Sequence, residues 1–343
     1  SAPDALVGLC TGALYMFAGG SEEGSRNVFF DDLWTLSTSE GNPWTRVAPG
    51  EPWPEARRGH WMAPVTGGFV VVGGRERGHN CFRDAWVYDA AANAWTRSAH
   101  MPSEADYPCR WGHTATRVPP LAGGSPFVDG REVESIVVFG GRFLPPKGDK
   151  ACAKSKSGFD CEFVYLNDLW FYDPARDEWA RGQVRGKLSP AKRDHHATAY
   201  VDGHLYIHGG KLTDQATSAL KDLWRYDLVG RTWSEMHPAV APSSRYLHNM
   251  AAWPGGHAII LFGGEHIKSR KSGKKKYARL NDVWAFSSQT RNWTRLVADA
   301  DDPEVELDNV FSDGVQLAIA LLVALVVTGA ALRARFRHDD AYD

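Results

Sequence analysis

Four segments of the chain share the spacing Arg-x-x-His: Arg57/His60, Arg110/His113, Arg193/His196 and Arg245/His248. A guanidinium is permanently charged and presents a planar fork of donors, so repeated arginines suit bidentate recognition of carboxylates, sulfates or phosphates. The same recurrence equally fits a structural role, in which each Arg and His ties one repeat to its neighbour. Lysines gather in two stretches that depart from the repeat: 142–163, with Lys147, Lys150, Lys154 and Lys156, and 266–279, with Lys268, Lys271, Lys274, Lys275 and Lys276. Such departures are where recognition is usually placed, and they make the local field positive; a solvated lysine loop is the plainer alternative. Asn292-Trp293-Thr294 is a formal N-glycosylation sequon.

Catalytic sets are harder to assemble. The chain has 13 His, but His60, His113, His196 and His248 recur with the repeat instead of converging, and only His195 stands off register. No Ser/His/Asp arrangement or Gly-rich phosphate loop stands out. The expectation is a non-catalytic protein with no metal and no cofactor.

The element pattern repeats five times. Apolar strands close on a double glycine at Gly19/Gly20, Gly73/Gly74, Gly140/Gly141, Gly209/Gly210 and Gly263/Gly264, followed by Asp-x-Trp at Trp34, Trp86, Trp170, Trp224 and Trp284. A second Trp follows nine or ten residues later, at Trp44, Trp95, Trp179, Trp233 and Trp293, so ten of the 14 Trp occupy repeat positions. A period near 50 residues marks a propeller of four-stranded blades. In that arrangement the Trp rings fill the wedge between blades, and Asp32, Asp84, Asp168, Asp222 and Asp282 accept backbone N–H groups at the turn.

The strands LYMFAGG, FVVVGG, SIVVFGG, LYIHGG and IILFGG, with the starts DDLWTL, RDAWVYD, NDLWFYD, KDLWRYD and NDVWAFS, resemble the kelch family of β-propellers over roughly residues 5–297. The fold class expected is all-β: a kelch-type propeller, 1–297, with five recognisable blades at about 1–48, 57–98, 110–182, 193–236 and 245–297. Blade 1 diverges, with Leu6 at the counted His position and Pro3 at the Arg position, which leaves room for a sixth blade upstream in a full-length protein. The resemblance implies that Arg57, Arg110, Arg193 and Arg245 stand near the channel mouth and contact acidic peptide segments, as arginines do in kelch proteins that bind such segments. Kelch-like propellers also include enzymes such as the copper radical oxidase of galactose. That chemistry needs a cross-linked Tyr and Cys beside two His and a further Tyr, a set this chain does not supply.

Propeller loops joining strands 2 and 3, and strand 4 to the next blade, open on one face, and four of the five cysteines fall in them. Bridges Cys81–Cys109 and Cys152–Cys161 are expected, each contributing about 2–4 kcal/mol in an oxidising compartment, with Cys10 left as a buried thiol.

The C-terminal region reads differently. Residues 298–314 form an acidic linker with seven Asp or Glu and no Lys or Arg, 315–332 is an uncharged run of 18 residues, and 333–343 is a short tail that opens with Arg333, Arg335 and Arg337. At 1.5 Å per residue the run makes a helix of about 27 Å, enough for a thin bilayer. The basic flank puts the tail in the cytosol and the propeller in the lumen or outside the cell. The sequence given opens at Ser1 without a visible signal peptide, so this topology expects one upstream.

With 43% hydrophobic residues and a net charge of −2, the chain can bury a large core and shows no global bias toward nucleic acid. The reading is a single-pass membrane protein whose propeller binds an acidic protein, or an anionic glycan, on its loop-rich face. A tail-anchored cytosolic adaptor with reduced thiols and a carbohydrate-active enzyme are the alternatives.

Overall fold

The computed structural model describes residues 6–297 except 11–12, 24–25, 38–43, 49, 77–79, 124–126, 128–129, 146–151, 156–157, 214–217, 254–255 and 270–274. The linker 298–314, the apolar run 315–332 and the tail 333–343 lie outside the described residues, among which no helix is long and apolar enough to cross a membrane.

Five antiparallel four-stranded sheets follow one another as the blades of a propeller. Blade 1 comprises β1 (Leu6–Cys10), β2 (Ala13–Glu23), β3 (Arg26–Ser37) and β4 (Thr45–Val47). Blade 2 comprises β5 (Trp61–Val65), β6 (Gly68–Val72), β7 (Ala85–Asp89) and β8 (Ala94–Arg97). Blade 3 begins with β9 (Thr114–Val118) and β10 (Ser135–Phe143), inserts the hairpin β11 (Cys152–Ser155) and β12 (Gly158–Cys161), and ends with β13 (Val164–Asp173) and β14 (Glu178–Arg181). Blade 4 comprises β15 (Ala197–Val201), β16 (His204–His208), β17 (Leu223–Asp227) and β18 (Thr232–Met236). Blade 5 has β19 (Asn249–Ala252) and β20 (Ala258–Phe262), the inserted hairpin β21 (Glu265–Ser269) and β22 (Lys275–Arg279), then β23 (Val283–Ser287) and β24 (Asn292–Val297). Both stretches that depart from the repeat therefore continue as β-ribbons. The innermost strands pack in chain order: β1 on β5, β5 on β9, β9 on β15 and β15 on β19.

The core lies between blades. Tyr15, Phe17 and Leu33 of blade 1 pack with Phe69, Val71, Tyr88 and Trp95 of blade 2, and equivalent clusters join blades 2 and 3, 3 and 4, and 4 and 5. The second Trp of blades 2, 4 and 5 covers the residue that precedes the left-handed pair of the preceding blade, Ala18/Gly19 in blade 1 and the double glycine in blades 3 and 4. Trp95 meets Phe17 at 5.0 Å between centroids, Trp233 meets Phe139 at 5.5 Å and Trp293 meets His208 at 5.6 Å. These rings are 4% exposed and fill the wedge, as their spacing predicts.

Blade 1 differs from its sequence reading by one residue. In blades 2 to 5 the paired glycines take φ near +60° and then +90° to +100°, as at Gly73 (+55°) and Gly74 (+99°), but in blade 1 those conformations belong to Ala18 (+54°) and Gly19 (+113°). A register shift between Phe17 and Gly19 in the β2–β3 pairing absorbs the extra residue. Leu6 pairs with Phe17 as Trp61 pairs with Val72, so Leu6 corresponds to Trp61 and not to His60.

Candidate functional site

The recurrent arginines are built into the scaffold. Arg57 is fully buried; its terminal nitrogens donate to Asp84 Oδ1 and Oδ2 at 2.8 and 2.9 Å, and one also donates to the Gly73 carbonyl at 2.9 Å. Arg110 holds Asp168, Arg193 holds Asp222 and Arg245 holds Asp282 through the same fork, at 2.7–2.8 Å. Each Asp Oδ2 also accepts the indole N–H two residues on, from Trp86, Trp170, Trp224 and Trp284. This corrects two expectations. Arg57, Arg110, Arg193 and Arg245 do not face a partner, because all four have 0% exposure and a carboxylate already occupies the fork. The Asp residues serve chiefly as acceptors for guanidinium and indole, not for the turn backbone. In blade 1 the described partner of Asp32 is the Trp34 indole, and Pro3 lies outside the described residues.

Main-chain atoms of the same arginines join the blades. The Arg57 carbonyl accepts from Gly19 N–H at 2.9 Å, and the carbonyls of Arg110, Arg193 and Arg245 accept from Gly74, Gly141 and Gly210, each at 2.9 Å. Each Arg thus clamps its own blade through its side chain and the preceding blade through its backbone.

Burial opposes the charge on Asp168, Asp222 and Asp282, yet the arginine and indole donors outweigh it and hold these carboxyls below the usual range. The histidines go the other way. Burial, then the nearby Arg57, pushes His60 down to about 3; burial and Arg245 do the same to His208; and His113, His196 and His248 are displaced in the same direction by burial. Five neutral imidazoles therefore sit in the core.

The third position of the motif explains the off-register His195. Gly59, Gly112, His195 and Leu247 all have positive φ, between +52° and +65°, and link in series: Gly112 N–H to Gly59 O, His195 N–H to Gly112 O and Leu247 N–H to His195 O. His195 occupies what is a glycine position in blades 2 and 3. Its Nδ1 lies 2.7 Å from the buried Asp194 carboxylate, which also meets Arg142 Nε at 3.0 Å.

The second motif position and the residue after the double glycine form the mouth itself. Backbone bridges pair Arg58 with Arg75, Trp111 with Arg142, Asp194 with Lys211 and Tyr246 with Glu265. These positions precede the innermost strand and follow the second strand of each blade, so they meet at one end of the ring next to its axis. Four cations stand there against two carboxylates, and every cation lies on an aromatic ring. Arg58 and Arg75 lie over Phe29 at 5.3 and 5.6 Å, Arg142 over Phe163 at 4.4 Å and Trp111 at 5.4 Å, and Lys211 over Tyr246 at 5.3 Å. Arg58, Arg142 and Lys211 are partly exposed there, whereas Arg75 is buried, 8% exposed. Sequence reasoning passed over this set because the residue type changes from blade to blade; the signal is position, one step after the repeated Arg and one step after Gly-Gly.

Cys81 and Cys109 form a disulfide with Cα atoms 5.4 Å apart, joining the strand 2–3 loop of blade 2 to the approach of blade 3, as expected. Cys152 and Cys161 are register partners across the β11–β12 hairpin, while their side chains and that of Cys10 are not among those described. Lys274 lies outside the described residues, and Lys275 and Lys276 pair through β22 with Ser269 and Lys268. Asn292 is exposed at the start of β24.

Residues 116–308, more than half of the chain, match the family described as the KLHDC2/KLHL20/DRC7 Kelch-repeats domain. The chain belongs to this kelch-repeat family. Kelch domain-containing protein 3 of Homo sapiens is 28% identical over 218 residues, 62% of this chain and 48% of that protein. Kelch domain-containing protein 10 of Xenopus laevis is 26% identical over 258 residues, 70% and 51% of the two chains. The kelch chain thus spans about half the length of these curated relatives. The serine/threonine-protein phosphatase BSL2 of Arabidopsis thaliana is 26% identical over 210 residues, which are 17% of its length, so its enzymatic name does not carry over. Kelch propellers bind protein partners, and the loop-bearing mouth of this one is consistent with a non-catalytic binding module.

Proposed function

We propose that the propeller is a non-catalytic receptor for an acidic segment of a partner protein, held at the mouth by Arg58, Arg142 and Lys211. The observation that carries this reading is that Arg58, Arg142 and Lys211, each stacked on an aromatic ring, are partly exposed at one end of the propeller, unlike the buried arginines of the repeated motif. Cations held in this way need little further ordering when a carboxylate arrives, so the entropic cost of binding is reduced. A protein ligand is favoured over an anionic glycan because the partly exposed rings of Phe163 and Tyr165 border Arg142 and offer apolar surface to side chains flanking the acids.

The propeller is tethered by the run 315–332 and faces the lumen or cell exterior, with the acidic segment 298–314 as spacer. Support comes from the charge asymmetry across the run and from the Cys81–Cys109 disulfide, which persists in oxidising compartments. Titrating the full chain against a fluorescein-labelled deca-glutamate peptide and a sulfated oligosaccharide tests the ligand class. Saturable binding of the peptide supports the proposal; binding of the oligosaccharide alone replaces it with the glycan reading, and binding of neither removes it. Reduced Cys81 and Cys109 in cells would favour a cytosolic adaptor.

A further inference from the structure

Asn292-Trp293-Thr294 is the one Asn-x-Ser/Thr sequence in the chain. It lies on β24, the outermost strand of blade 5, which pairs on one side with β23. Alternation along the strand buries Trp293 and turns Asn292 and Thr294 outward together, both exposed. The two side chains that define a glycosylation acceptor therefore share the outer rim of the ring.

Their height on the ring matters as well. β23 starts one residue after Asp282, at the mouth end, and runs to Ser287, which is the register partner of Asn292. Asn292 therefore sits at the end remote from the cationic mouth, where a bulky substituent leaves that surface open.

The scaffold does not call for asparagine here. The residues before the second Trp in blades 2, 3 and 4 are Ala94, Glu178 and Thr232. Asn292 makes two long hydrogen bonds: its Oδ1 accepts from Ala239 N–H at 3.3 Å, and its Nδ2 donates to the Thr290 carbonyl at 3.4 Å. A glycosylated amide retains the carbonyl oxygen and one N–H, so both bonds survive substitution.

An independent observation bears on the compartment. The Cys81–Cys109 disulfide fits an oxidising compartment, a class that includes the secretory lumen where N-glycans are transferred.

We infer that Asn292 carries an N-linked glycan; the inference rests on the lumenal orientation proposed above. Transfer forms a bond from Nδ2 to the anomeric carbon of an oligosaccharide donated by a polyprenyl diphosphate. The anomeric carbon–oxygen bond to the diphosphate breaks, the amide nitrogen gives up one proton, and the lipid diphosphate departs. The rim position also keeps the outer edge of β24 from pairing with another strand, because a hydrated glycan covers it.

The test is made on the full chain expressed in eukaryotic cells, with two readouts from the same sample: peptide:N-glycosidase F treatment with mass mapping of residue 292, and a non-reducing map of Cys81–Cys109. The enzyme is expected to shift the protein by one glycan and to leave Asp at 292. Asn292→Gln and Thr294→Ala abolish the shift, while Thr294→Ser retains it. A formed disulfide with unmodified Asn292 overturns the glycan and spares the lumenal reading. Unmodified Asn292 with free thiols overturns both, and a shift that survives Asn292→Gln assigns the glycan elsewhere.

Discussion

Arg57 places its two terminal nitrogens 2.8 and 2.9 Å from the two carboxylate oxygens of Asp84, with the side chains 0% and 4% exposed. Removing one partner of such a pair leaves a buried charge without compensation, at a cost of about 3–5 kcal/mol. Asp84→Asn should therefore lower the unfolding free energy by about 3 kcal/mol or more in urea titrations. Asp32→Asn, whose described partner is the Trp34 indole, should cost less than about 1 kcal/mol. Equal losses at the two sites would contradict the clamp.

Ala18 holds a left-handed conformation, φ +54°, that the other blades assign to glycine. Ala18→Gly should stabilise the protein by about 1 kcal/mol, since an L-residue in this region costs roughly 1–2 kcal/mol. Gly74→Ala should do the opposite, by at least about 2 kcal/mol, because φ is +99° and the added Cβ would meet His60 Cβ at 2.8 Å. Differential scanning calorimetry of both variants reads the two signs.

Five buried histidines make the fold acid-sensitive. Unfolded, each takes up a proton near pH 6.5; folded, His60 and His208 do so only near 3, and His113, His196 and His248 are shifted the same way. The unfolded state thus binds more protons, and the stability these groups confer is complete above pH 6.5 and lost as pH falls toward 3. Each contributes a slope of up to about 1.4 kcal/mol per pH unit in that window. The low-lying carboxyls of Asp168, Asp222 and Asp282 act below about pH 4, where protonation removes the stability of their pairs. His208→Phe, which installs the residue found at Phe17, Phe139 and Phe262, should reduce the slope between pH 6.5 and 4.5 by about one proton. An unchanged slope would show that His208 titrates normally.

The disulfide closes a separation of 28 residues and ties blade 2 to blade 3. Replacing Cys81 and Cys109 together by Ala should cost about 2–4 kcal/mol. The loss is expected in urea unfolding under non-reducing conditions and should vanish when wild type and variant are compared in reductant.

Much of the scaffold was legible because it is spelled by type: glycine where the backbone turns left, tryptophan where a wedge is filled, and cysteines in loops that a propeller brings to one face. The register of blade 1 was not, since a single bulge moved the glycine conformation onto Ala18 without altering the visible Gly-Gly. The arginines illustrate the larger gap. Arg57 and Asp84 are 27 residues apart, and nothing local says that the fork of one will close on the other. Their repetition marked them as important, and burial then decided that they act as structure. The mouth residues Arg58, Arg142 and Lys211 were overlooked for the converse reason: they share a position but no residue type.

The most direct test of the receptor reading is fluorescence anisotropy of a labelled deca-glutamate peptide titrated with the full-length protein at about 0.15 M salt, where surface charges act over about 8 Å. Wild type should bind saturably. Arg58→Glu with Lys211→Glu should weaken binding by at least about tenfold, equivalent to about 1.4 kcal/mol, while Arg176→Glu, in the β13–β14 turn at the far end of the ring, should leave it unchanged. Binding that ignores the double reversal, or that falls equally with Arg176→Glu, would contradict the assignment of the mouth as the binding surface.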